Sequence, residues 1–194
     1  MTKNKIDARL EQCKAEGRKA LITFITAGDG GYDCTEKAVL EMAKNGADLI
    51  ELGVPFSDPI AEGPVIQCAS ERSLRNGTTL VGIFDLVRRL RKETDVPLLL
   101  MMYLNTIFCF GTDRFFALCE ECGIDGVIVP DIPFEEKDEI QGSADAHNVH
   151  NISLVTPASE DRIQMIASEA TGFLYCVSSN GVTGVRSQFQ TDFA

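Results

Sequence analysis

The stretch "DLIELGVPFSDPIAEGP", residues 48–64, begins as a buried strand and then departs from one. Leu49, Ile50 and Leu52 are apolar, yet Glu51 stands among them. Asp58 and Glu62 follow, in a segment stiffened by Pro55, Pro59 and Pro64. A carboxylate in a strand loses hydration, which favours its protonated form and raises its pKa. A glutamate shifted toward neutral pH is suited to proton transfer. The competing reading is an ion pair with a basic residue of a neighbouring strand. No strand-like run in the chain carries lysine or arginine in its core, which weakens that reading. For the other two acids local roles suffice. Asp58-Pro59 is turn chemistry, and Glu62 precedes Gly63-Pro64, where a helix start favours a carboxylate.

Five further apolar runs resemble the one around Glu51: residues 20–26 (ALITFIT), 97–103 (PLLLMMY), 126–130 (GVIVP), 151–155 (NISLV) and 173–177 (FLYCV). Helical patterns separate them. One has Asp33 as its cap and Glu36 three residues on, with Val39, Met42 and Ala43 on one face. A second starts at Pro64 and stops near Asn76-Gly77. In a third, Leu80, Ile83, Phe84, Val87 and Leu90 recur at helical spacing. Arg88, Arg89, Arg91 and Lys92 at its end read as a solvated face that complements the helix dipole. Further helices are expected over 113–122, from about Glu135, and around Ile163, Ile166, Ala167 and Ala170.

Strand-then-helix order implies parallel strands joined by right-handed crossovers. Both a doubly wound sheet and a barrel fit. No GxGxxG follows the first strand, so dinucleotide binding has no support. Glu51, Tyr103, Asp131 and the run Gly181-Val182-Thr183-Gly184 all fall at or beyond C-terminal strand ends. In a barrel these ends ring one mouth, where active sites are built. A barrel takes eight units in ~250 residues, and six are counted here. The expectation is one α/β domain over residues 1–194, a TIM (β/α)8-type barrel shortened at its C-terminus to about six units.

The balance of 29 acidic against 18 basic side chains, net −11, argues against nucleic acid or an anionic membrane as partner. A small phosphate remains possible, held by backbone N–H groups at loops and helix N-termini. The Gly181–Gly184 run could supply such groups or form a lid, although glycine-rich turns after strands are common. Seven cysteines without a closely spaced framework suggest reduced thiols in the cytoplasm. Cys119 and Cys122 form a single CxxC without a second pair, so a helical pair is favoured over zinc. His147 and His150 read as members of a solvated loop, and no metal site is expected. The first twenty residues are polar, unlike a signal peptide, and the apolar run 97–103 is too short to span a bilayer.

Four segments, in this order, resemble the α subunit of tryptophan synthase: residues 50–67 (IELGVPFSDPIAEGPVIQ), 100–111 (LMMYLNTIFCFG), 130–136 (PDIPFEE) and 180–186 (NGVTGVR). The first is long and specific, and the matching units extend through most of the chain. The resemblance implies a (β/α)8 barrel that cleaves indole-3-glycerol phosphate to indole and glyceraldehyde 3-phosphate in tryptophan biosynthesis. It implies a retro-aldol lyase with no cofactor of its own. It also implies a β-subunit partner that carries pyridoxal phosphate in an αββα complex and receives the indole. By the same matching, Glu51 is the acid/base and Glu62 stabilises positive charge at the indole nitrogen. Phe24 and Tyr103 line the indole pocket with Tyr175 beside it, Thr183 belongs to the lid, and Gly184 offers an N–H to the phosphate. Asp58 falls near the β-subunit interface, with the turn role equally open. The family's loop acid is often aspartate, whereas Glu62 is one methylene longer. Loops after the seventh and eighth strands supply much of the family's phosphate grip, so weak phosphate affinity and low activity are expected of the 194 residues. The alternatives are a catalytically weak module that docks on and activates a β subunit, and another phosphosugar enzyme on the same barrel.

Overall fold

Continuous apolar runs become parallel strands when helices cover one face and a shared interior the other. The computed structural model describes residues 3–178 and Gly184. Its main sheet is parallel, in the order β1 (Ile22–Thr26), β2 (Leu49–Gly53), β3 (Leu98–Met101), β4 (Gly126–Ile128) and β5 (His150–Asn151). A second parallel pair joins β6 (Leu154–Val155) to β7 (Tyr175–Cys176). The run expected as one strand over 151–155 is therefore split. The Ile152 N–H donates to the Val127 carbonyl at 2.9 Å, whereas the Ser153 carbonyl accepts from the Tyr175 N–H at 3.0 Å. The chain changes hydrogen-bonding neighbour between these two residues.

The helices are α1 (Lys5–Ala15), α2 (Tyr32–Lys44), α3 (Pro64–Arg75), α4 (Leu80–Leu90), α5 (Leu104–Phe110), α6 (Thr112–Cys122), α7 (Asp138–Ala146) and α8 (Ile163–Glu169). Pro64 opens α3 and Asn76 closes it, as the sequence indicates. The start of α2 differs from expectation. Gly31, at φ 94°, is its N-cap, and Asp33 lies in the first turn. Asp131, a candidate site residue by position, instead accepts the Leu104 N–H at 2.9 Å and so caps α5.

Strand alternation divides the core in two. Ile50, Leu52, Leu98, Leu100 and Val127 face the helix layer, where they meet Val39, Phe84, Phe115 and Phe116. Leu49, Leu99, Ile128 and Ile152 face inward and share their cluster with Ile6. Ile6 comes from α1, a helix that the polar N-terminal sequence did not suggest. Asn4 caps that helix and donates to the carbonyls of Asp125 (2.9 Å) and Asn148 (2.8 Å), tying it beneath the N-terminal ends of the strands. A Cβ on Gly126 would stand 2.9 Å from the Ile6 side chain, so that glycine makes room for the plug.

Two readings of charged residues need correction. Arg91 is not on a solvated face. It donates to the carbonyls of Gly123 and Val96 and pairs with Asp125 at 2.8 Å. Burial pushes the Arg91 pKa down and that of Asp125 up despite the pairing, so desolvation outweighs attraction and the pair contributes geometry more than stability. The histidines are not in a free loop either. His150 lies in β5 and meets Asp7 of α1 at 2.9 Å, and His147 meets Glu120 at 2.6 Å. Cys119 and Cys122 are buried on α6, and all seven cysteines are free.

Ile6 is fully buried and its methyl groups plug the inner cluster. Ile6→Ala should cost about 3 kcal/mol, read as a lower urea midpoint with unchanged slope. A loss under about 1 kcal/mol would mean that α1 does not seal the interior.

Candidate active site

Side chains point alternately to the two faces of a strand. Ile50 and Leu52 go to the helix layer, so Leu49, Glu51 and Gly53 face inward. The strand thereby carries Glu51 into the interior, opposite Phe24 on β1 and Leu99 on β3. Glu51 is 5% exposed. Burial pushes its carboxyl from the ordinary 4.5 up to about 7, with no contribution from a neighbouring charge or hydrogen bond among the described residues. The ion-pair alternative has no support among the described residues.

Above Glu51 the strand ends at Gly53, whose missing side chain is filled by the Phe24 ring; a Cβ there would lie 2.5 Å from that ring. Phe24, Gly53, Glu62, Tyr103 and Thr26 line one cleft at this mouth, with Met101 at its wall. Three residues singled out from the sequence are thus brought together, Phe24, Glu62 and Tyr103. Glu51 lies below them in the wall. Tyr175 opens β7, half-buried, and its hydroxyl pKa is raised by burial and by the charge of Glu51. Gly184 is exposed, and no described residue stands where its side chain would be. Thr183 lies outside the described residues.

The loop between β2 and α3 carries Glu62. Its carboxylate accepts a hydrogen bond from the Tyr103 hydroxyl, and its carbonyl accepts from Gln67 Nε2 at 2.9 Å. Asp58 is exposed and accepts from the neighbouring Ser57 hydroxyl. Thr26 was missed in the sequence. It is buried, and its Oγ1 has no partner among the described residues. A period of two from Phe24 was the available signal, because it places both on the inner face at the strand end. Among the described residues no three His, Cys, Asp or Glu side chains are arranged to share a metal ion, and no helix is long and apolar enough to cross a membrane.

A family model described as tryptophan synthase alpha chain matches residues 10–194. The chain belongs to the tryptophan synthase alpha chain family. The tryptophan synthase alpha chain of Clostridium kluyveri is 47% identical over 189 residues, 97% of this chain and 72% of that relative. The solved alpha chain of Legionella pneumophila superposes with a TM-score of 0.85 at 40% identity, covering 90% of this chain and 66% of that one. A chain of the tryptophan synthase α2β2 complex of Pyrococcus furiosus gives 0.77 at 35% identity, covering 81% and 64%. The chain therefore spans about two thirds of the solved chains that it matches. Parallel strands with helices outside, arranged as in these tryptophan synthase alpha structures, make the fold a TIM-type barrel arrangement.

The burial of Glu51 carries a thermodynamic signature. Between pH 4.5 and about 7 the folded protein keeps a proton that the unfolded chain has released, so stability falls as pH rises through that window. Glu51→Gln removes this penalty. The variant should be more stable than the parent at pH 8, by up to about 3 kcal/mol, with the advantage gone by pH 4. Denaturant titrations at the two pH values give the difference; an advantage independent of pH would mean that Glu51 is not held protonated.

Proposed function

We propose that this chain is an indole-3-glycerol-phosphate lyase, which releases indole and glyceraldehyde 3-phosphate. The observation that carries the reading is a carboxyl poised near pH 7 beneath a cleft that holds a second, fixed carboxylate. Membership of the tryptophan synthase alpha chain family supplies the substrate.

The chemistry follows from those two groups. Protonated Glu51 delivers its proton to C3 of the indole ring, and the positive charge that develops rests on the ring nitrogen. Glu62 faces that nitrogen; a preorganised carboxylate helps most where cationic charge appears in the transition state. Glu51, now ionised, takes the proton of the adjacent glycerol hydroxyl. The carbon–carbon bond breaks, its electrons restore the aromatic ring, and the new carbonyl leaves as the aldehyde. Glu51 gives one proton and regains one, so the enzyme ends as it began. A pKa near the working pH suits a group that must do both.

Phe24 and Tyr103 would hold the planar ring with Tyr175 beside it. Thr183 would close over the substrate and the Gly184 N–H would meet the phosphate. The chemistry asks for no cofactor in this chain. Around the loop that bears Glu62, Ile60 is 74% exposed and Val65 79% exposed, with Asp58 nearby. These apolar side chains suit a β-subunit partner, as in the α2β2 complex of the Pyrococcus furiosus relative. Seven free cysteines fit a reducing, cytoplasmic setting.

Indole release from indole-3-glycerol phosphate, measured with and without a tryptophan synthase β subunit, tests the reading. Release should occur, and Glu51→Gln should lower it by about a thousandfold while leaving β-subunit binding intact. Folded protein that releases no indole in either condition, or a Glu51→Gln variant as active as the parent, would overturn it.

A further inference from the structure

Tyr103 does more than present a ring to the cleft. It stands two residues beyond β3, is 4% exposed, and stacks on Phe56 with ring centroids 4.8 Å apart and 28° between planes. Its hydroxyl accepts the N–H of Ile60 and the N–H of Ala61, each at 2.9 Å, and donates its own proton to Glu62 Oε2. A phenol has one proton and two lone pairs, so this oxygen is fully committed to three consecutive residues of one loop.

That loop lies outside the helices and strands, between the end of β2 and Pro64. Backbone amides in such a segment must find partners elsewhere, and here one side-chain oxygen serves two of them. Gln67 Nε2 holds the Glu62 carbonyl from the other side. The backbone on both sides of Glu62, and its carboxylate, are therefore set relative to the strand wall by two side chains. Only one of these touches the carboxylate itself. That carboxylate has one oxygen taken by Tyr103, and Oε1 has no partner among the described residues.

The geometry points to Tyr103 as the positioning residue for Glu62: its hydroxyl fixes the carboxylate and its loop as one unit, and leaves Oε1 to receive the N–H of a planar heteroaromatic ligand. The identity of that ligand rests on the lyase reading; the clamp itself does not. Burial and the Glu62 carboxylate push the Tyr103 hydroxyl up to about 12, so it remains a donor over the whole working range. The stacked Phe56 ring fixes the plane in which that hydroxyl lies.

Tyr103→Phe, Glu62→Ala and the double variant separate positioning from general support. With Glu62 present, Tyr103→Phe should lower kcat for indole release by about 10- to 100-fold with KM within about threefold. In the Glu62→Ala background the same change should cost less than about twofold, because the group that it positions is gone. Hydrogen exchange at the Ile60 and Ala61 amides should be at least about tenfold faster in Tyr103→Phe and unchanged in Glu62→Ala. Equal losses of kcat in both backgrounds, or unchanged exchange in Tyr103→Phe, would overturn the assignment. Should the parent release no indole, the lyase reading fails, and the exchange rates alone then uphold or overturn the clamp. Should Tyr103→Phe not fold, Phe56→Leu keeps the hydroxyl but removes its stacking partner. It should give the same exchange signature at smaller amplitude, and unchanged exchange there would count against the clamp.

Discussion

A carboxyl group in the wall of a parallel sheet, walled by apolar strands and without a basic partner among the described residues, is the constraint on which the site depends. Glu51 is costly to place there in its charged form, because burial is what raises its pKa. The surrounding structure must therefore be stable enough to carry it. Leu49, Leu99 and Ile128 pack the interior, and Ile6 of α1 closes it below. Above, Gly53 ends the strand without a side chain and lets the Phe24 ring lie across the mouth. The fold thus encloses the Glu51 carboxyl from beneath while leaving the cleft on top.

The second carboxylate is held by different means. Glu51 is fixed by the strand that bears it, whereas Glu62 sits on an irregular loop and needs outside support. Tyr103, from the next strand's end, and Gln67, from the following helix, provide it. The same loop exposes Ile60, and the helix that follows exposes Val65 in its first turn. A partner that pressed on Ile60 would act on a residue whose own amide Tyr103 holds. Rigid strand and clamped loop give the two acids separate mechanical references, which suits groups with separate tasks.

Much of this was legible in the sequence, for physical reasons. Residues 20–26, 97–103 and 126–130 read as strands because a sheet covered on both faces leaves no polar alternation to confuse the pattern. Pro64 and Asn76-Gly77 bounded α3 because one suits a helix start and the other a stop. Glu51 stood out as a charge where none should be. What stayed hidden was long-range or sparse. The apolar contacts of α1 amount to Ile6, Cys13 and Leu10, too few to mark a helix in a polar stretch. The sequence suggested no helix over residues 104–110, where α5 lies, directly after the apolar run. Arg91 sits in a cluster of charges that looks solvated, and only the approach of Asp125 and the Gly123 carbonyl from elsewhere shows that it is buried. The bond from Tyr103 to Glu62 spans 41 positions, and no spacing rule reaches across two helices to find it. Thr183, in the Gly181–Gly184 run, lies outside the described residues, and its lid role stands on the resemblance.

Everything proposed for the chemistry returns to one proton on Glu51. Carbon-13 NMR of the side-chain carboxyl, with glutamate labelled and Glu51→Gln used for assignment, follows that proton directly as pH is varied. A midpoint near pH 7 is expected, well above the ordinary 4.5. A midpoint near 4.5 would show a solvated or paired carboxylate, and would contradict the assignment of Glu51 as the group that both gives and takes the proton.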